Sequence, residues 1–171
     1  MYRTQFLCAI GISVWSAVAA CGQAAPPLPP PPPPPVPLSE PVRSRVEKAR
    51  FETVTSIRGL PLGVRDGLQR LFGSQTLHIA EPSAKYQATD VIVEPNLPIR
   101  RLVAAGCSVE YCLVYYERGG IAHTWHVALF HWTPEATRFE WGGAAPGGLA
   151  RIDDVRGAIL SGQIKGPGKY W

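Results

Sequence analysis

The sequence predicts an α+β domain, a small antiparallel β-meander of about four strands packed with two or three short helices. Three observations carry this. From Arg100 onward, segments rich in β-branched and aromatic residues succeed one another, separated by turn-forming residues, as strands joined by hairpins do. The helical patterns lie before and after that block and do not alternate with the strands, which argues against a parallel βαβ sheet. Internal repeats are absent, which argues against a solenoid.

In chain order, Val42, Val46 and Ala49 recur at near-helical spacing between charged residues, with Ser39 placed as an N-cap and Pro41 near the first turn. A second helix is expected from about Pro61 to Phe72. Leu60, Val64, Leu68 and Leu71 fall on one face and Gly73 can end it, while Gly63 and Gly67 weaken it. Residues 74–98 carry Pro82, Pro95 and Pro98 with little periodicity and read as loop, with a strand around Asp90 to Val93.

The meander then takes Leu102 to Cys107, Tyr111 to Arg118, Ala122 to Trp132 and Thr137 to Trp141. Gly119-Gly120 supplies two residues able to take positive φ, as a tight hairpin needs, and Thr133 to Ala136 makes a looser connection. Gly142 to Gly148 reads as a flexible loop. Its glycines lack the Gly-Lys-Ser/Thr that would make a phosphate loop. A last helix follows at about Ile152 to Leu160, with Asp153 and Asp154 in the first turn, where the helix dipole favours acids, and Gly162 beyond its end.

Ahead of this domain, Arg3 precedes an uncharged run from Phe6 to Ala20, too short for a mature membrane span and suited to the apolar region of a signal peptide. The run ends Val18-Ala19-Ala20-Cys21, which resembles the lipobox of bacterial lipoproteins. The resemblance covers the signal alone. It implies cleavage before Cys21, lipid on that cysteine, and membrane attachment through the lipid. Gly22 in place of an aspartate implies sorting to the outer membrane rather than the inner. Cleavage by the ordinary signal peptidase after Ala20 or Ala25 is the alternative. From Pro26 to Pro41 proline dominates, giving a polyproline II spacer of about 50 Å. The chain thus divides into a signal peptide over 1–20, an anchor cysteine and Pro-rich spacer over 21–41, and one α+β domain over 42–171.

Of four cysteines, Cys8 leaves with the signal and Cys21 takes lipid, so Cys107 and Cys112 remain and are expected to pair in the oxidising compartment that export implies. The intervening Ser108 to Tyr111 suits a turn between antiparallel strands. Four residues between the cysteines also fit poorly with a redox pair, which usually has two.

His123 and His126 would share a face on a helix, but on a strand they point to opposite sides. His123 and His131 share a side yet stand roughly 26 Å apart along it, so no metal site is expected. A tight Gly-Gly turn would place Tyr116 across from His123, Val114 across from Trp125 and Leu113 across from His126. It would also gather Tyr111, Leu113, Tyr115, Phe130 and Trp132 on one face, an apolar patch that marks Tyr111, Tyr115, His126, Phe130 and Trp132 as a candidate binding surface.

A net charge of +4 over 171 residues is modest, and its basic residues are scattered apart from Arg43, Arg45, Lys48 and Arg50. Nucleic-acid binding is not expected, because no basic stripe with interleaved aromatics is present. No known catalytic motif is present either, and no cofactor is called for. Glu117, His123, His126, His131 and Glu140 could still meet at one end of the sheet for acid–base work. The expectation is therefore a lipid-anchored envelope protein with a small non-enzymatic domain that binds an envelope protein or a cell-wall component. The alternatives are an inhibitor or immunity-type lipoprotein acting on an envelope hydrolase, and a small hydrolase using His and Glu side chains.

Overall fold

The computed structural model describes residues 36–92, 94–164 and 166, so the expected signal peptide, Cys21 and the greater part of the spacer lie outside the described residues. The fold is α+β. Its sheet is an antiparallel meander of five strands in the order β1 (Glu52–Val54), β2 (Arg100–Cys107), β3 (Tyr111–Arg118), β4 (Thr124–Trp132) and β5 (Thr137–Ala145). Among the described residues three α-helices accompany it: α1 (Glu40–Lys48), α2 (Leu62–Leu71) and α3 (Ile152–Leu160). Among the described residues, no helix is long and apolar enough to cross a membrane.

Helix α1 starts at the expected N-cap Ser39, with Pro41 in its first turn, where a missing N–H costs nothing. The folded body begins upstream of the boundary expected at Val42. Leu38 packs against the core, and the Trp141 indole N–H donates to the Val36 carbonyl at 3.0 Å. Strand β1 is an addition to the expected four, a three-residue edge too short to show as a period. No strand forms over 90–92. Isolated bridges from Ala80 to Arg101 and from Thr89 to Gly120 hold that loop against the sheet. Strand β5 runs on to Ala145, so the first part of the expected flexible Gly142 to Gly148 loop is paired sheet, with Gly142 opposite Ala128 and Gly143 opposite Val127.

Both faces of the sheet are covered. Helices α1 and α3 bury one face with Val46, Val155 and Ile159 against Tyr111, Leu113, Tyr115, Val127 and Leu129. Helix α2 buries the other with Val64 and Leu68 against Leu102, Val114, Tyr116 and Phe130. Strand β3 is buried along nearly its whole length, which is why Tyr111 to Tyr116 reads as a continuous apolar run. Each large side chain so buried contributes about 1.5–3 kcal/mol. The glycines of α2 have a packing role. Gly63 and Gly67 lie four apart on the face against the sheet, and a Cβ on Gly67 would stand 2.6 Å from the Phe130 ring. They cost the helix propensity and let it sit directly on β4 and β5.

The β3–β4 hairpin departs most from expectation. Tyr116 lies opposite His126, not His123, and Glu117 lies opposite Trp125. The two glycines are not a two-residue turn. Arg118 and Thr124 form the last pair, so residues 119–123 make the connection. Within it, the Gly119 N–H donates to the Ile99 carbonyl at 2.8 Å, and a Cβ at Gly119 would fall 1.9 Å from the Gln87 carbonyl oxygen. Gly119 thus serves close approach of a neighbouring loop, and only Gly120, at φ +120°, is in the positive region.

The resulting shift of three residues is odd, so it reverses which β3 side chains share a face with which β4 side chains. Tyr111 and Tyr115 face α1 and α3, whereas Phe130, Trp132 and His126 face the α2 side. The expected exposed patch therefore does not form. Tyr111, Tyr115, Phe130 and His126 are at most 3% exposed, and Trp132 is partly buried, with its indole N–H donating to the Ser108 carbonyl.

Candidate functional site at one end of the sheet

The polar residues gather where β3 ends and β4 begins. Glu117 and Arg101 are cross-strand partners there, and the Arg101 guanidinium reaches Glu117 Oε1 through Nε and Nη2, each at 2.6 Å. The second oxygen, Oε2, accepts the Tyr86 hydroxyl at 2.8 Å and lies 2.7 Å from His123 Nε2. Two ring contacts close the assembly. The Arg101 guanidinium lies 4.4 Å over the Tyr86 ring, and His123 stacks on Trp125 with centroids 4.3 Å apart.

Burial alone would raise the Glu117 pKa. The hydrogen bonds from Tyr86, Arg101 and His123, with the Arg101 charge, outweigh it and hold the carboxyl below the ordinary range. Tyr86 is pushed up to about 12 by its own burial, by its hydrogen bond to Glu117 and by that carboxylate's charge. Glu117 is thus a fixed anion and a poor proton donor. His123 is exposed. With Nε2–H given to Glu117, its ring presents Nδ1 as an acceptor, the arrangement of a general base oriented by a carboxylate.

Above this base sit two loops tied to each other. Gly120 bridges Thr89, and the Gln87 side-chain amide donates to the Thr89 carbonyl at 3.0 Å and also to the Val91 carbonyl. Their tips carry apolar side chains in water: Ile121 is 94% exposed, Ile92 70% and Val91 64%.

On the opposite face of the same sheet end, Arg100 and Arg118 are direct cross-strand partners. Between them and the core lies Tyr116, clamped edge-on by Phe72 and stacked on His126. The Arg100 guanidinium lies 4.2 Å over Phe72, and Thr124 Oγ1 is 2.8 Å from His126 Nε2. Burial, followed by the charges of Arg118 and Arg100, lowers the His126 pKa to about 4, so its ring is neutral at pH 7.

Of the acid–base residues expected to converge, Glu117 and His123 do meet. His126 points to the other face, His131 packs edge-on against Tyr111 far along the sheet, and Glu140 pairs with Arg138 at 2.9 Å. Among the described residues, no group of three or more His, Cys, Asp or Glu side chains could hold a metal ion. Cys107 and Cys112 are cross-strand partners and form a disulfide, at the opposite end of the sheet from Glu117.

No family model, curated protein or solved structure matches this chain. The site therefore has to be read from its own residues. Sequence reasoning missed Tyr86 and Arg101, which lie 31 and 16 residues before Glu117. The one available signal was Arg101 near the start of a predicted strand, as an unpaired charge entering a sheet. Tyr86 gave none.

Proposed function

We propose that this chain is an exported envelope protein, lipid-anchored at Cys21, whose folded domain is a non-enzymatic module that binds another protein through the loop tips at residues 91, 92 and 121. The observation that carries the binding reading is the exposure of Ile121, Val91 and Ile92 on a base held by the Glu117 network. Apolar side chains kept in water on a braced scaffold lower the ordering cost of docking a partner. The address rests on the lipobox resemblance at Cys21 and on the disulfide, which suits an oxidising compartment.

The test is a crosslinked pull-down from envelopes with the lipidated chain, compared with a variant carrying serine at Val91, Ile92 and Ile121. One stoichiometric protein, lost in the variant, is expected. Recovery of the same partner by the variant would overturn the surface. If the partner is a hydrolase, the module is an inhibitor. Cys21→Ser is expected to release the protein from membranes with loss of the acyl mass, and unchanged membrane association would overturn the anchor.

A second reading, a small hydrolase, is favoured by the 2.7 Å contact between His123 and Glu117. Its test is His123→Ala against a panel of cell-wall substrates. A hydrolytic activity lost in that variant would replace the binding reading.

A further inference from the structure

At the disulfide end of the sheet a cleft of about 500 Å³ lies between the last turn of α1 and the β2–β3 turn at Ser108, Val109 and Glu110. That volume is in the range of ligand pockets. Its charged lining is Arg45, Lys48 and Arg50 against the single carboxylate of Glu110, and none of the three cations makes an ion pair among the described residues. The negative end of the α1 dipole accounts for Arg45 and Lys48, but not for Arg50, which lies beyond the helix. The turn that forms the facing wall supplies a second observation. It is braced by the Cys107–Cys112 bridge, by the Ser108 N–H donating to the Tyr111 carbonyl at 2.7 Å, and by the Trp132 indole N–H donating to the Ser108 carbonyl at 3.1 Å. Yet its tip is apolar, with Val109 88% exposed. A second cleft, of about 590 Å³, shares Arg50, Ser108 and Val109, so this tip borders both hollows.

We propose that this cleft docks on the headgroups of an anionic phospholipid surface, with Arg45, Lys48 and Arg50 on the phosphates and Val109 entering the headgroup layer. The guanidiniums can take two phosphate oxygens each, and the Lys48 ammonium adds a point charge. A soluble anion would leave Val109 in water, whereas a bilayer offers negative charge above an apolar interior and engages both features of the cleft. The choice of a membrane also rests on the anchor reading. Helix α1 is the first helix or strand after the spacer, so a chain tethered at Cys21 meets the surface at high local concentration, and three cations then suffice where a free protein would need more. The cleft lies at the opposite end of the sheet from Glu117 and leaves the loop tips at residues 91, 92 and 121 open to a protein.

The experiment is cosedimentation of the exported Cys21→Ser chain, which carries no lipid of its own, with vesicles of equal parts phosphatidylglycerol and phosphatidylcholine and with vesicles of phosphatidylcholine alone. Retention on the first alone, falling as salt is raised, is expected. Each of Arg45→Gln, Lys48→Gln and Arg50→Gln should weaken it about fivefold, and the three together about a hundredfold. A second triple variant, Arg70→Gln with Lys85→Gln and Arg151→Gln, removes the same charge elsewhere and should keep most of the binding. Equal losses in the two triple variants would mean that net charge alone acts, and would overturn the cleft. Val109→Ser, at a side chain almost wholly in water, should leave Tm unchanged and weaken retention several-fold, and unchanged retention would overturn insertion of the tip. No retention on either vesicle would overturn the lipid, and a pull-down partner lost in the cleft triple variant would then assign an acidic protein. Because these vesicles test the cleft without the anchor, and release of Cys21→Ser from membranes washed in high salt tests the anchor without the cleft, the two readings fail separately.

Discussion

Arg101 and Glu117 stand opposite each other on β2 and β3, with both guanidinium contacts at 2.6 Å and the Glu117 side chain only 7% exposed. The carboxylate also holds Tyr86 and His123, so its loss would strand a partly buried cation and a partly buried hydroxyl together. Glu117→Gln is therefore expected to destabilise the domain by about 2–3 kcal/mol, below the range for a fully buried pair because Arg101 keeps some contact with water. Urea unfolding of wild type, Glu117→Gln, Arg101→Gln and the double variant measures this. A coupling energy near zero would mean that the pair contributes nothing beyond its separate side chains.

His126 links stability to pH. Its folded pKa is near 4, against an ordinary value of 6.5, so between those values the unfolded chain binds a proton that the folded chain refuses. Stability is therefore complete above about pH 6.5 and falls as pH drops towards 4, by up to about 3 kcal/mol. The lowered Glu117 pKa adds its loss only further into acid, below the ordinary carboxylate range. His126→Phe, which keeps an aromatic ring against Tyr116, should flatten the slope between pH 6.5 and 5. An unchanged slope in that variant would assign the dependence to other groups.

Cys107 and Cys112 enclose a short loop, and a closed loop of this size removes little entropy from the unfolded chain. Reduction is expected to cost only about 2 kcal/mol, leaving the domain folded under mild conditions. Thiol titration of Cys21→Ser protein lacking its signal peptide should find no reactive thiol before reduction and two after it. A loss of all tertiary structure on reduction would show that the bridge constrains more than its own hairpin.

The helices and strands were legible because their cores follow simple periods, and β3 and α3 have the bounds expected of them. Pairing register was not legible. Gly119-Gly120 matches the chemistry of a tight hairpin, yet the need for glycine at 119 comes from the Gln87 carbonyl, a neighbour more than thirty residues earlier in the chain. That long-range contact moved the register by an odd number and put Phe130 under α2 while Tyr111 and Tyr115 went under α1 and α3. The meeting of Glu117 and His123 survived because Glu117 lies beside the connection and His123 within it. Tyr86 was invisible, since it reaches the site from an irregular loop in which no period reports where a side chain points.

Gly67→Ala separates local preference from packing. In an exposed helix, alanine for glycine would stabilise by about 1 kcal/mol. Here the added methyl would stand 2.6 Å from the ring of Phe130, a side chain with no exposure and therefore little room to give way. Overpacking of a close-packed core costs about 1–3 kcal/mol, which exceeds the gain in propensity. The variant is expected to be net destabilised, by up to about 2 kcal/mol, read as a lower urea midpoint at unchanged m-value. A combined Gly67→Ala, Phe130→Leu variant should recover part of that loss by removing the ring face that clashes. A single variant more stable than wild type would mean that α2 does not sit as closely on β4 as the Gly67 contact requires.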